Sequence, residues 1–126
     1  MTARIAPAVA LASLALLGFA GPGHAERAPS RLLVTGDEYS LVLSRVTVRR
    51  GPALIQFLNR GEDPHDLRLR RIGSAHTVSV PEVRPGGLVE IDTRLRTGRY
   101  RLWCSLPEHR ERGMRALLRV RRRPLG

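Results

Sequence analysis

Between residues 31 and 121 the chain is a succession of short apolar runs with a period of two, and no run has the period of a helix. The runs are "RLLVTG", "EYSLVLSRVTVRRG", "PALIQFLNRG", "HDLRLRR", "AHTVSVP", "GLVEIDTRL", "GRYRLWC" and "MRALLRVRR". Each alternates or forms a brief apolar stretch, and each is bounded by Gly, Pro, Asn or Asp, the pattern of half-buried strands joined by tight turns. In "GRYRLWC" the residues on one face are Tyr100, Leu102 and Cys104; in "LVEIDTRL" Val89 and Ile91 oppose Glu90 and Asp92. The nearest helical candidate, "PEHRERGMRALLRV", is interrupted by Pro107 and Gly113. "RPGG" (84–87) and "RTGR" (96–99) read as turns. The expected fold is all-β: an antiparallel Greek-key β-sandwich of seven to eight strands. At 126 residues there is room for one such domain.

The segment ahead of it reads differently. "MTAR" is a small positive region, "IAPAVALASLALLGFA" an apolar one, and "GPGHA" ends on a small residue before "ER". This is the layout of a secretory signal peptide, with cleavage expected after Ala25. An uncleaved membrane anchor is the competing reading. The run is short and alanine-rich beside the roughly 20 strongly apolar residues that a span needs. The expected organisation is a signal peptide over 1–25, a short linker over 26–30, the sandwich over 31–121 and a basic tail over 122–126. The protein is expected outside the cytoplasm, periplasmic or extracellular, without stable membrane insertion.

All 22 basic residues are arginine, against 11 acids, for a formal charge of +11. Loss of residues 1–25 removes Arg4 and no acid, lowering that charge by one. Outside the cytoplasm such a surface meets no nucleic acid; it can meet an acidic protein or an anionic membrane face, or simply stay solvated. Cys104 is the only cysteine. Exported domains normally pair their thiols, so a lone one is buried, dimerised or bound to something.

"CSLPEHRERGM" (104–114) gathers that cysteine, His109 and Met114 within eleven residues. Cys104 closes a strand facing inward, His109 follows in the loop, and Met114 precedes the last strand. Upstream, "NRGEDPHDLRL" places His65 at the start of a strand after a polar turn. Two imidazoles, a thiolate and a thioether form the trigonal His2Cys set with a weak axial Met that defines blue copper. Taken singly, His109 is a surface histidine and Met114 a core gap-filler; taken together with His65 and an unpaired Cys104, they form a site.

Cys104–x4–His109–x4–Met114, with "NRGEDPHDL" and "YRLWC", resembles the cupredoxins, the small blue copper proteins of plastocyanin and azurin type, with a ligand loop spaced as in the rusticyanin-type members. The resemblance runs from about Arg31 to Val120. It implies one copper ion cycling between Cu(I) and Cu(II), held by His65, Cys104, His109 and Met114. It also implies supporting roles for Asn59, Asp66 and Ser105. Asp66 stands where members commonly carry Asn, and Glu108 where a glycine often precedes the second histidine. In the family the residue at position 66 ties the two ligand loops together; a carboxylate there can accept such bonds, with Ser105 as a donor.

A copper protein can catalyse, carry electrons or carry copper. Catalytic copper centres need more histidines and an open coordination position. With His24 in the leader and two histidines in the site, His76 alone remains, in no motif, and is expected to be structural or at the surface. The chain is therefore expected not to be an enzyme. Single-electron transfer is the leading function, with periplasmic copper carriage or resistance as the alternative. The expected partner is an acidic redox protein, such as a cytochrome or oxidase, docking transiently near His109 on a monomer. Arg110, Arg112 and Arg115 crowd that loop and could form a patch for it.

Overall fold

The computed structural model describes residues 25–123 together with Gly18 and residues 21–23. Most of the expected leader, and residues 124–126 of the expected tail, lie outside the described residues. Among the described residues, no helix is long and apolar enough to cross a membrane.

Nine strands form the domain: β1 Ser30–Asp37, β2 Ser40–Leu43, β3 Thr47–Arg49, β4 Gly51–Asn59, β5 His65–Arg71, β6 Thr77–Val83, β7 Leu88–Leu95, β8 Gly98–Trp103 and β9 Arg115–Arg121. One helical turn, α1 (His109–Arg112), lies between β8 and β9. The strands make two sheets, ordered β2-β1-β4-β7 and β3-β9-β8-β5-β6. The β-sandwich is the expected one, with one more strand and two parallel pairs, β1 with β4 and β3 with β9. The extra strand arises because the run "EYSLVLSRVTVRR" breaks at Ser44–Val46. Its first part pairs with β1 in one sheet, and its second part crosses to β9 in the other.

Period-two alternation fixes what each sheet buries. In β4, Ala53, Ile55, Phe57 and Asn59 face inward; in β1, Leu32 and Val34 do; in β8, Tyr100 and Leu102; in β9, Leu118 and Val120. These apolar faces meet between the sheets and form one core. Removing them from water is the main stabilising term. Pro81 is tolerated because β6 is a sheet edge, where a missing N–H breaks no ladder. Gly36 must be small: a Cβ there would sit 2.9 Å from the Phe57 ring and 3.4 Å from the Met114 methyl.

The topology gives the sandwich two distinct ends. β4 runs from Gly51 to Asn59 and spans about 26 Å at the usual strand rise. The end of β4 and the start of β5 lie at one end with the β8–β9 connection. The starts of β4 and β8 and the ends of β5, β7 and β9 lie at the other.

Candidate metal centre

The inward faces of β8 and β9 continue past the strand ends into the site. β8 and β9 are antiparallel, with Trp103 opposite Arg115, so the next pair along the register is Cys104 and Met114. The Cys104 amide donates to the Met114 carbonyl at 3.1 Å. Alternation turns both side chains into the core, where each is fully buried. The loop they delimit makes the single turn of α1, begun by Glu108 in the left-handed region (φ 65°) and closed by Gly113 (φ 130°). The Met114 amide donates to the His109 carbonyl at 3.0 Å, tying that turn back to the strand end. Gly113 also permits a close approach, since a Cβ would lie 2.7 Å from the Tyr39 carbonyl oxygen.

His65 arrives from β5, which pairs with β8. Strict alternation would send Asp66 outward if His65 and Leu67 face in. That is what happens: Asp66 shares the outer face of β5 with Arg68, which donates to it, and lies across from Ser105 where the β5–β8 register continues, so His65 and Leu67 are buried between the sheets while Asp66 is buried beneath its own partners. His65 Nδ1 then lies 3.1 Å from His109 Nδ1, and Cys104 Sγ lies 3.6 Å from His109 Nδ1. Ligand atoms of His65, Cys104 and His109 all fall within 4.8 Å of one another, close enough to hold one metal ion. Metal–nitrogen and metal–sulfur bonds of roughly 2.0–2.3 Å require ligand separations of this size. Met114 is buried behind the same loop and packs toward Gly36 and Phe57.

The thiol and carboxylates are tuned by their surroundings. Burial pushes the Cys104 thiol above its ordinary value, partly offset by the Asp66 and Leu106 amides. The Asp66 amide points at Sγ from 3.5 Å. A metal taking Cys104 as thiolate therefore displaces its proton on binding. Burial acts to raise Asp66, but the Ser105 hydroxyl and amide and the Arg68 guanidinium outweigh it, and the carboxyl is held below its usual value. Ser105 donates both its amide (2.6 Å) and its hydroxyl to Asp66. Asp66 thus joins the His65 strand to the residue after Cys104. The Asn59 side chain hydrogen-bonds to none of the three close ligand residues. Its side-chain amide donates to the Asp63 and Val83 carbonyls, and its oxygen accepts from the Gly61 amide, bracing the turn that delivers His65.

Two residues that the sequence motifs left out complete the surroundings. Glu38, in the turn between β1 and β2, accepts from His65 Nε2 at 2.7 Å. It also accepts from the amides of Glu62 and Asp63. The Asp63 amide, then the Glu62 amide, lower its carboxyl to about 2, with His65 adding to the effect. An ionised carboxylate can only accept, so His65 carries its proton on Nε2 and turns the lone pair of Nδ1 to the site. A side chain on Gly61 would collide with this carboxylate. Tyr39 packs edge-on against the His109 ring, with centroids 5.1 Å apart, and Arg112 lies over the Tyr39 ring. Of the loop arginines, Arg112 also pairs with Glu108, and Arg110 stacks on half-buried Trp103. His76 is exposed on the β5–β6 turn, at the other end of the molecule.

No protein-family model and no curated protein sequence matches the chain. Solved structures do. The reduced auracyanin of the photosynthetic bacterium Roseiflexus castenholzii superposes with a TM-score of 0.61 at 16% identity, over 75% of this chain and 99% of that one. Auracyanin A of Chloroflexus aurantiacus, described as a "blue" copper protein, gives 0.58 at 17% identity, over 75% and 100%. A reduced amicyanin variant gives 0.56 at 19%, over 77% and 88%. Two stacked mixed sheets, with a His–Cys–His cluster at one end and likeness to auracyanin and amicyanin along nearly their whole lengths, give this chain the cupredoxin fold.

Proposed function

We propose that the protein is an exported, mononuclear blue copper protein that passes single electrons between redox partners. The observation that carries this reading is the convergence of His65 Nδ1, His109 Nδ1 and Cys104 Sγ on one point. Two borderline nitrogens and a soft sulfur are a donor set that suits copper in both its oxidation states. Met114, opposite Cys104 where the strand register continues, would offer a thioether as a further, weak donor. Bound copper would supply a one-electron couple, and the protein's part is to hold its ligands still. Glu38 orients His65, Asp66 and Ser105 lock the two ligand segments together, and the packed sheets resist rearrangement between oxidation states. These residues would hold the ion with protein donors alone, which suits an electron carrier and not a catalytic centre that needs an open position for substrate.

His109 is only half-buried, in contrast to fully buried His65 and Cys104, and its ring edge is the port for electrons. A redox protein such as a cytochrome or oxidase docks there transiently. Arg110 and Arg112 alternate with Glu108 and Glu111 in this loop, so an acidic partner gains modestly from charge. Residues 1–25 act as the signal peptide, 26–30 as linker, 31–121 as the copper domain and 122–126 as tail. The test is titration with Cu(II) followed by voltammetry. One equivalent should produce an intense thiolate-to-copper absorption and a reversible couple. Binding of copper that cannot be cycled reversibly would refute the electron-transfer role and favour copper carriage.

A further inference from the structure

The end of the sandwich away from the candidate metal centre forms an open cleft of about 1280 Å³. Eight arginines line it, Arg49, Arg50, Arg71, Arg94, Arg96 and Arg122 among them, against a single acid, Glu26. They come from the segment before β1, the β3–β4 junction, the ends of β5 and β7, the β7–β8 turn and the residues just after β9, so the fold collects them from across the sequence. Among the described residues none of the eight forms an ion pair; the three pairs found there are His65–Glu38, Arg68–Asp66 and Arg112–Glu108. Like charges held together without counter-charges repel, which opposes the compact state unless an anionic partner offsets them. The guanidinium fork binds phosphate oxygens in pairs and stays charged at every physiological pH.

The chain itself points to which anionic partner. Glu26 and Arg27 line the cleft, and Arg49 donates to the Ala28 carbonyl, so β1 is entered from the arginine end. The apolar run 5–20 lies nine residues ahead of this entry in the sequence. We propose that the arginine end is a docking surface for an anionic phospholipid bilayer, which holds the protein at the membrane face with the His109 end pointing away. Processing of the leader leaves this surface intact, because its arginines lie outside residues 1–25. The surface needs no metal, so the proposal stands or falls separately from the copper reading.

Flotation with vesicles tests it, using the protein in the form recovered from cells, its N-terminus read by mass spectrometry. Vesicles of phosphatidylcholine are compared with an equimolar mixture of phosphatidylcholine and phosphatidylglycerol, at low and high salt. The protein should bind the anionic vesicles at low salt, release at high salt, and ignore phosphatidylcholine. An arginine at such a surface is worth roughly a five-fold change in partition, so the combined variant Arg50→Gln, Arg94→Gln, Arg96→Gln, Arg122→Gln should bind on the order of 10²- to 10³-fold more weakly. The control variant Arg60→Gln, Arg84→Gln, Arg110→Gln, Arg115→Gln removes the same charge from the other end and should bind nearly as the parent does. Equal loss in both variants would show net charge acting without a docking end, and would overturn the proposal. So would equal binding to both kinds of vesicle, or retention on immobilised polyglutamate without any binding to phosphatidylglycerol, the latter marking a protein-docking patch.

Discussion

The two ends of this sandwich use charge in opposite ways. The loops at the metal end (37–39, 60–66, 84–87 and 104–115) carry seven acids and five arginines. Several are locked into hydrogen bonds: Glu38 with three donors, Asp66 with Ser105 and Arg68, Arg112 with Glu108. The cleft at the far end holds eight arginines and one acid, with none of those arginines in an ion pair among the described residues. Buried or half-buried polar groups at the first end fix geometry, because leaving one unsatisfied is costly. Among the described residues the cations at the second form no ion pair and, the bond from Arg49 to the Ala28 carbonyl aside, act on whatever approaches. A substitution at one end should therefore leave the property of the other untouched.

The largest expected effect is Cys104→Ser. It removes the only sulfur anion of the candidate centre and should abolish the thiolate-to-copper absorption entirely, while vesicle binding is unchanged. Next, Glu38→Ala removes the acceptor that orients His65. Losing such a partner typically costs about 10- to 100-fold in metal affinity, which competition with a copper chelator would read. Glu38→Gln, which keeps an oxygen acceptor, should recover much of that loss but shift the potential, because a neutral amide polarises the imidazole less.

Asp66→Ala strands the Ser105 amide and frees the Arg68 head, and should lower unfolding stability by about 1–3 kcal/mol in urea titrations. Met114→Leu should retain copper and a folded core, since the two side chains are close in volume, and raise the potential through loss of the thioether. If it abolished binding, the weak axial role would be wrong. The smallest effect belongs to Arg94→Gln with Arg96→Gln, which should leave the absorption and potential of the copper form where they were.

How much of the fold is legible in the sequence follows from what periodicity encodes. Cys104 and Met114 lie on strand faces with a period of two, so their inward direction was legible, and the β8–β9 register sets them opposite each other. His65 opens a run of the same kind. The burial of Asp66 was not legible, because alternation puts it on the outer face and only the fold brings Ser105 over it there. Glu38 was missed for another reason. It is 27 positions before His65, in a turn between two ordinary strands, and only the fold brings its carboxylate to the imidazole. The parallel pairing of β1 with β4 escaped because alternation records which face is buried and says nothing of strand direction. Arginine recurs along the chain from Arg27 onward, and the separation of charge between the ends appears only once the strands are ordered in space.

X-ray absorption at the copper edge, on the protein loaded with one equivalent of the metal, tests the central claim most directly. The account predicts two imidazole nitrogens and one short sulfur around the ion, the sulfur disappearing in Cys104→Ser. Coordination by nitrogen and oxygen alone in the parent protein would contradict it.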